Sequence, residues 1–326
     1  MNKTAIVTGG CGFIGSHLVD LLIEKKFRVI VIDNLISGKL KNIKKNKNIT
    51  FINKNINEIK LSNLPNDINN CYLFHFAGLG DVVPSINFPK QYMETNVFGT
   101  INLLEIARKL EVKKFIYAAS SSCYGITNKR NSEKAKINIT HPYALSKYMG
   151  ESVIKYWSTF FKIPYISIRI FNAYGRRSRT TGAYGAVLGV FLKQKIENKP
   201  LTIVGSGLQK RDFVHVKDVA NAFYLAANSK LKNRIYNLGS DKPISINKLA
   251  KKISNKSVSL AWRPGEPRLT HANINKIRKE LKWKPKISFD MGIEEILENI
   301  DEWSDAPLWN KKNITKVTKE WFEFLS

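Results

Sequence analysis

Short apolar runs alternate with segments of helical periodicity along the first half of the chain. Residues 5–7 form the first run, and residues 13–26 then place Ile14 and Leu18 on one side of a helix. A second apolar run follows at residues 28–32. Because strand–helix–strand repeats of this kind build sheets with crossover helices, the pattern predicts an α/β fold with a doubly wound parallel sheet.

The remaining elements are predicted from the same two periodicities. Further strands are predicted at residues 49–52, 71–76, 114–120, 165–170, 201–204 and 235–238. Further helices are predicted at residues 89–110, 142–161, 187–197 and 216–227. The helix at 142–161 begins at Pro142, where the missing N–H of proline costs no helical hydrogen bond.

Composition narrows the class of protein. The 326 residues are 43% hydrophobic, which is ordinary for a globular chain, and no run of about 18 apolar residues predicts a membrane span. The net charge of +27 could reflect compositional bias, steering of an anionic substrate, or a polyanionic partner. Since lysines are spread along the whole chain without an arginine-rich block, we expect no nucleic-acid partner.

Cysteine and histidine usage points away from disulfides and metals. Cys11, Cys71 and Cys123 are widely spaced and odd in number, which favours a reduced, cytoplasmic location. The five histidines show no ligand spacing of the HxxxH kind, so we expect no metal site.

A glycine-rich turn joins the first strand to the first helix. Gly9 allows the tight turn, Gly12 lets the backbone approach a pyrophosphate, and Gly15 lets the helix pack closely. A tight turn without a ligand is the alternative interpretation. Asp33 favours a dinucleotide, because a carboxylate at the end of the second strand, roughly 20 residues on, accepts the ribose hydroxyls. That carboxylate would repel a 2′-phosphate, so NAD is predicted rather than NADP.

Tyr143 and Lys147 are four residues apart near the start of a predicted helix and therefore share one face. A nearby ammonium favours the phenolate, so we expect Lys147 to lower the pKa of Tyr143 and make it a base for a sugar hydroxyl. Ser120 ends the preceding strand, at the edge of the sheet where ligands bind, and its hydroxyl can hydrogen-bond the reacting oxygen. A polar turn capped by serines is the alternative.

These features occur together with further motifs: Asp33–Asn34, Phe76–Gly78, Asn96–Thr100, the serines at 120–122, Arg169–Asn172 and Arg211–Val216. In this combination the chain resembles the extended short-chain dehydrogenase/reductase family, and within it the nucleotide-sugar 4-epimerases that act on UDP-glucose and UDP-N-acetylglucosamine. The resemblance extends from residue 3 to about residue 300.

The resemblance implies a division of the chain and a set of roles. Residues 1–170 would be an NAD-binding Rossmann domain, to which segments near 211–240 return, and residues 171–326 a smaller α/β lobe that binds the nucleotide sugar. Tyr143 would be the base, Lys147 would hold the nicotinamide ribose, and Ser120 would contact the sugar O4. The residues implied for NAD are Gly9, Gly12, Phe13, Ile14, Gly15, Asp33, Asn34, Gly38, Asn55, Ile56, Phe76, Ala77, Gly78, Asn96, Tyr143 and Lys147.

The implied substrate site lies mostly in the second half of the chain. Arg211 and Arg263 would bind the diphosphate and Glu266 the nucleoside ribose. Small residues at Gly80 and Thr270 would leave room for an N-acetyl group. The full set is Gly80, Ser120, Ser122, Asn172, Ala186, Val187, Thr202, Val204, Arg211, Arg263, Glu266 and Thr270.

One departure from the wider family narrows the expected reaction. Ser121 and Ser122 stand where the 4,6-dehydratases carry an Asp-Glu pair, and a serine is neither an acid nor a base at neutral pH. The resemblance therefore implies an NAD-dependent isomerase that inverts C4 of a UDP-sugar, as a homodimer. An epimerase of a UDP-uronic acid (using arginines 176, 177 and 179), another nucleotide-sugar oxidoreductase or dehydratase, and a non-catalytic NAD-binding regulator are the alternatives.

Overall fold

The computed structural model describes residues 3–68, 70–178, 187–262 and 264–325. The strands in these ranges are β1 (Thr4–Thr8), β2 (Arg28–Asp33), β3 (Ile49–Asn53), β4 (Tyr72–His75), β5 (Lys114–Ser120), β6 (Tyr165–Ile170), β7 (Asn172–Tyr174), β8 (Leu201–Val204), β9 (Lys210–Arg211), β10 (Phe213–His215), β11 (Arg234–Leu238), β12 (Ile244–Ser245) and β13 (Ser257–Leu260).

The α-helices in the same ranges are α1 (Phe13–Glu24), α2 (Val82–Asn87), α3 (Pro89–Met93), α4 (Gly99–Lys109), α5 (Pro142–Phe161), α6 (Val187–Ile196), α7 (Val216–Asn228), α8 (Ile246–Ile253), α9 (Asn275–Leu281), α10 (Phe289–Glu298), α11 (Lys311–Val317) and α12 (Lys319–Leu325). Among the described residues, no helix has the length and apolar composition needed to cross a bilayer.

Seven parallel strands form the central sheet in the order β11-β6-β5-β4-β1-β2-β3. β1 lies between β2 and β4. The strands β2 and β3 follow on one side of β1 and the strands from β4 onward on the other, so the strand order reverses between β1 and β4. All five residues of β1 are buried, as are the four of β4, because helices cover both faces. This arrangement explains the continuous apolar runs in the sequence and confirms the predicted doubly wound sheet.

The predicted helix at 89–110 is three helical segments in the structure. α3 passes into a π-helical turn at Glu94–Phe98, which continues into α4. The hydrophobic pattern alone does not distinguish these windings, because one wide turn changes the helical phase only locally. π-Turns inside helices often occur at functional sites, and this one carries Asn96.

The second half of the chain forms a separate hydrophobic cluster around Phe191, Leu249 and Trp303, all fully buried. β11 and α7 instead return to the first half: β11 pairs with β6, and α7 packs against α1. The division of the chain near residue 170 stays a prediction.

A buried ion pair fixes α5 to the central sheet. Glu151 on α5 and Arg169 on β6 are 3% and 4% exposed, and their side chains approach to 2.5 Å. The Glu151 carboxylate also accepts from Ser167 Oγ at 2.7 Å, and Arg169 Nη1 donates to Tyr124 Oη at 2.9 Å. These hydrogen bonds compensate both charges for the loss of water, which is the condition for a buried pair to be tolerated.

We expect Glu151→Gln to lower the free energy of unfolding by about 3–5 kcal/mol, because it leaves the Arg169 guanidinium buried without its counter-charge. Chemical denaturation monitored by circular dichroism measures the change. Lys90→Met, which removes the exposed Lys90–Glu94 pair, is the control and should leave the midpoint unchanged. Equal effects of the two substitutions would show that the buried pair does not stabilise the fold.

Candidate functional site

A cavity of about 740 Å³ opens at the carboxyl ends of the central strands. In open α/β sheets this is the edge where ligands bind, at the point where strand order reverses. The cavity brings together most of the predicted site residues from both halves of the chain. Those lining it are Gly9, Gly12, Phe13, Ile14, Gly15, Asp33, Asn34, Asn55, Ile56, Phe76, Ala77, Gly78, Gly80, Ser120, Ser122, Tyr143, Lys147, Asn172, Val187, Thr202, Val204, Arg211, Glu266 and Thr270.

The glycine turn requires two of its glycines for steric reasons. Gly9 has φ +68°, and a Cβ there would lie 2.6 Å from the backbone nitrogen of Ala77. A Cβ at Gly15 would collide with the carbonyl oxygen of Gly9. Glycine at these two positions therefore lets the turn pack closely against the segment after β4 and lets α1 pack against the turn. The N-terminus of α1 faces the cavity, where helix N–H groups and the helix dipole favour an anion.

Asp33 is held in place by backbone donors. Its Oδ2 accepts from Cys11 N and its Oδ1 from Leu35 N, each at 2.9 Å. Gly38 does not line the cavity, but a Cβ on it would lie 2.9 Å from both carboxylate oxygens. Its glycine therefore leaves room for the Asp33 side chain.

Asn96 lies behind the cavity wall rather than on it. Its Oδ1 accepts from Leu79 N at 2.8 Å, and its Nδ2 donates to Leu79 O at 3.0 Å and to Ser146 Oγ at 2.8 Å. Ser146 in turn donates to the carbonyl of Tyr143 at 3.0 Å. Asn96, predicted to bind the cofactor, therefore ties the segment after β4 to the first turn of α5.

Tyr143 and Ser120 both line the cavity, close enough for the Ser120 hydroxyl to influence the Tyr143 pKa. Ser120 Oγ itself donates to Ser122 Oγ at 3.0 Å and accepts from Ser122 N at 3.1 Å. The expected lowering of the Tyr143 pKa is wrong for the described residues. Burial raises that pKa, the Ser120 hydroxyl lowers it, and the charge of Asp81 raises it further. A neighbouring positive charge lowers the pKa of a phenol, but loss of water raises it, and in Tyr143 the loss of water is the larger effect.

Lys147 is 8% exposed, and burial lowers its pKa to about 7 although Glu151, one turn along α5, raises it. Its Nζ lies 4.2 Å from the centre of the Tyr117 ring. The ammonium and the neutral amine of Lys147 are therefore both populated near neutral pH.

The far end of the cavity is built from the second half of the chain. Arg211 Nη2 donates to Glu266 Oε1 at 2.8 Å, and only a tenth of the Arg211 side chain is exposed. Thr270 Oγ1 donates to Asn172 Oδ1 at 2.8 Å and accepts from Asp212 N at 3.1 Å. Of the remaining predictions, Ala186, Arg263 and the arginine at 179 lie outside the described residues.

The cavity also contains residues that the sequence analysis missed. His141 stacks on Tyr143, with ring planes 8° apart and centroids 5.8 Å apart. Burial lowers the His141 pKa to about 4, and its Nδ1 accepts from Ala144 N, so the imidazole is neutral. Its place immediately before Pro142 is the signal that could have identified it, since histidine here caps α5.

Other additions come from distant segments. Asp81, which precedes α2, faces the region of Tyr143, and Gln209 lines the wall near Arg211. Trp309 and Trp321 line the cavity from the end of the chain. Within the described ranges, no group of His, Cys, Asp and Glu side chains is placed to hold a metal ion.

Comparison with known proteins agrees with this geometry. A family model described as the NAD-dependent epimerase/dehydratase family matches residues 5–239. The putative UDP-glucose 4-epimerase of Methanocaldococcus jannaschii is 37% identical over 300 residues, which cover 90% of this chain and 96% of the relative.

Two solved structures share the fold. A UDP-N-acetylglucosamine 4-epimerase from Methanobrevibacter ruminantium, in complex with UDP-N-acetylmuramic acid, superposes with a TM-score of 0.85 at 31% identity, covering 91% of this chain and 99% of the other. A UDP-glucuronic acid 4-epimerase from Bacillus cereus, in complex with UDP-glucuronic acid and NAD, gives a TM-score of 0.84 at 30% identity, covering 92% and 99%.

The described residues fit NAD. The glycine turn and the N-terminus of α1 line the cavity, and Asp33 is oriented at the end of β2 by its two backbone donors. The cavity continues from this turn to Tyr143 and on to Arg211. The chain belongs to the NAD-dependent epimerase/dehydratase family and is an NAD-dependent isomerase of the extended short-chain dehydrogenase/reductase type.

Proposed function

We propose that this isomerase inverts C4 of a UDP-sugar. UDP-N-acetylglucosamine and UDP-N-acetylgalactosamine are its preferred pair of substrates, and UDP-glucose and UDP-galactose are a second, poorer pair. The observation that carries the proposal is the position of the Tyr143–Ser120 pair. It lies in one cavity between the glycine turn and the Arg211–Glu266 pair. A nucleotide sugar whose diphosphate lies at Arg211 would therefore extend its sugar along the cavity toward Tyr143 and Ser120.

The binding roles divide along the cavity. The N-terminus of α1 holds the NAD pyrophosphate, and Asp33 accepts the adenosine ribose hydroxyls. Arg211 binds the substrate diphosphate, for which its planar guanidinium is suited, while Glu266 holds Arg211 and the nucleoside ribose. Thr202 and Val204 flank the uracil. A firmly held diphosphate leaves the sugar free to present either face.

NAD held at the glycine turn would supply the acceptor for the hydride of C4 and the donor that gives it back to the opposite face of the sugar. Tyr143 takes the proton of the C4 hydroxyl and later gives it back. Ser120 hydrogen-bonds the same oxygen and keeps it within reach of Tyr143. Because the hydride and the proton are both returned, the reaction leaves the oxidation state of the sugar unchanged.

Lys147, one helical turn from Tyr143 on α5, would hold the nicotinamide ribose. Burial keeps the Tyr143 phenol protonated, and the nearby Ser120 hydroxyl lowers its pKa. With a Lys147 pKa of about 7, the ammonium form that would bind the ribose hydroxyls is lost as the pH rises above neutrality.

The proposed preference for an N-acetylated sugar depends on free space beside the sugar. Among the described residues, leaving aside Gly80 and its two chain neighbours, no heavy atom lies within 4 Å of the position that a Cβ on Gly80 would occupy. Thr270 is short and is held against Asn172, which keeps this side of the cavity open. An acetamido group needs such a volume, whereas a hydroxyl does not.

A UDP-uronate is the second candidate, since a relative from Thermodesulfobacterium geofontis and the Bacillus cereus structure are UDP-glucuronate 4-epimerases. A carboxylate on the sugar would need a basic partner. Arg176 pairs with Glu302 and Arg177 with Asp20, so both described arginines of this loop already have acidic partners. That pairing favours the uncharged sugar.

We also propose a homodimer that forms through α4 and α5. Phe160 and Tyr156 on α5 are 61% and 58% exposed, and Phe98 beside α4 is 62% exposed. Large aromatic side chains grouped on adjacent helices are typical of interfaces between copies of a chain. We place the protein in the cytoplasm, because all three cysteines are free and buried.

The direct test supplies the purified protein with UDP-N-acetylglucosamine or UDP-glucose, adds no NADH, and resolves the sugars by chromatography. We expect the C4 epimer of the N-acetylated sugar, with a higher kcat/KM than for glucose. A dehydrated 4-keto product as the end product would contradict the proposal.

Tyr143→Phe should lower kcat by about 10²–10⁴-fold, because the proton of the C4 hydroxyl loses its acceptor.

Tyr148→Phe is the matched control for Tyr143→Phe, because it removes a phenol from the same helix outside the cavity lining. It should retain wild-type kcat. Both variants should retain bound NAD, measured by releasing the nucleotide on denaturation. A fully active Tyr143→Phe variant would exclude Tyr143 as the base.

We expect Lys147→Met to unfold at higher temperature than the wild type at pH 7, while losing activity, because the substitution removes a buried charge. Between pH 7 and about 10, Lys147 is protonated in the unfolded chain and deprotonated in the folded chain. Raising the pH therefore favours the folded chain, and Lys147 increases the free energy of unfolding of the wild type by up to about 1.4 kcal/mol per pH unit. The variant lacks this gain, so its advantage should shrink as the pH rises. Denaturation of cofactor-free protein at several pH values measures it; a constant difference would contradict the lowered pKa.

We expect Gly80→Val to lower kcat/KM for UDP-N-acetylglucosamine by about 10-fold or more and to leave UDP-glucose nearly unaffected, since the new side chain occupies the space proposed for the acetamido group. Steady-state assays with both substrates measure the ratio. Gly80→Ala is the matched control and should give a smaller change in the same direction. An equal loss for both sugars would contradict this placement of the acetamido group.

A further inference from the structure

The last described helices contribute side chains to the lining of the cavity. Residues 307–325, here called the C-terminal strap, contain α11 and α12 and follow the residues 5–239 that the family model matches. Three side chains of the strap line the cavity: Trp309, Ile314 and Trp321. Ile314 and Trp321 are only 7% and 8% exposed, so they are packed into the protein rather than resting on it.

The first attachment of the strap is at the nucleoside end of the cavity. Gln194 on α6 is 1% exposed and donates from Nε2 to Trp309 O and to Thr202 Oγ1, each at 2.8 Å. Its Oε1 accepts from Thr202 N at 3.0 Å. One buried amide therefore joins the backbone of Trp309 to the strand proposed to flank the uracil.

The second attachment is on the other side of the opening. Trp321 Nε1 donates to Pro264 O at 2.6 Å, in the loop that carries Glu266. α12 also packs against α2, which begins just after Gly80 and Asp81. The strap thus connects the nucleotide-binding loop in the second half of the chain with the segment beside the sugar in the first half.

The strap is internally ordered by its own caps. Asn310 and Asn313 form a reciprocal capping box at the start of α11, with bonds of 3.0 and 2.7 Å. Asn313 Nδ2 also donates to Leu308 O at 2.9 Å. Thr318, between the two helices, is buried and donates to Ile314 O. These bonds fix the two indoles relative to each other.

We propose that Trp309 and Trp321 are substrate-contact residues, and that the C-terminal strap holds the UDP moiety in the cavity while the sugar turns over. This inference rests on the proposed function and adds to it the residues that close the nucleotide site. Trp309 is joined through Gln194 to Thr202, on the strand proposed to flank the uracil, and Trp321 is bonded to Pro264, in the loop of Glu266 proposed to hold the nucleoside ribose.

Indole chemistry suits this role. An aromatic ring offers a flat apolar face to a base or to the C–H face of a sugar ring, and base–aromatic stacking typically contributes about 1–3 kcal/mol on alanine substitution. Trp321 satisfies its N–H within the protein, so its ring faces the cavity with no polar atom left unpaired.

The test measures UDP binding by calorimetry on the full-length protein with its NAD, so that affinity is read separately from turnover. We expect Trp309→Ala and Trp321→Ala each to raise the Kd for UDP about 10-fold, the lower part of the stacking range. The KM for the UDP-sugar should rise by a similar factor, and kcat should change less, because the reacting groups at Tyr143 and Ser120 are untouched.

Two controls separate substrate contact from a structural role. Phe324 is on α12 with Trp321, but it is 66% exposed and does not line the cavity. Phe324→Ala should therefore leave the Kd for UDP unchanged. Trp321→Phe keeps a ring but loses the bond to Pro264 O, so it should bind UDP more tightly than Trp321→Ala. This second variant also keeps the inference testable if Trp321→Ala fails to fold.

Wild-type Kd values for UDP in both alanine variants would overturn the inference, and so would an equal loss in Phe324→Ala. If the unmodified protein binds UDP and interconverts UDP-sugars while the variants match it, only the role of the strap is excluded. If the unmodified protein does neither, the proposed function itself fails, and the substrate role of the strap fails with it.

Discussion

The buried pair between Glu151 and Arg169 is the interaction on which the site depends. Two opposite charges lie beneath the helix that carries Tyr143 and Lys147, and each satisfies its remaining hydrogen bonds within the protein. Their geometry fixes where α5 sits on the sheet. The same carboxylate reaches Lys147 electrostatically, so a structural constraint and the charge state of a site residue share one group.

The sequence was sufficient to predict the central sheet, because strands buried on both faces leave continuous apolar runs that need no tertiary information. It was also sufficient to predict a tight glycine turn before α1, since backbone sterics act locally, while the binding roles of that turn and of Asp33 stay predictions. It failed on the winding of the helix at 89–110 and on the direction of the Tyr143 pKa. Both depend on packing: a π-turn is a local change of phase, and desolvation depends on what surrounds the phenol in three dimensions.

The second half of the site was predicted less completely for a related reason. Periodicity places a residue on a face of its own element, but it does not say which distant element that face meets. The sequence therefore gives no sign that Trp309 and Trp321 line the cavity, which becomes visible only in the folded chain, where α12 packs against α2. The same holds for Gln194 on α6, because its hydrogen bonds to β8 and to the C-terminal strap cannot be predicted from its position in the sequence.

The three free cysteines have a practical consequence. Burial raises the pKa of Cys11 to about 12, that of Cys71 to about 11 and that of Cys123 to about 12, so the reactive thiolate is scarce and shielded. Cys11 lies in the glycine turn, Cys71 precedes β4, and Cys123 follows β5. The native chain therefore carries three built-in probes whose alkylation rates report separately on the opening of the cofactor loop, the middle of the sheet and the floor of the active site.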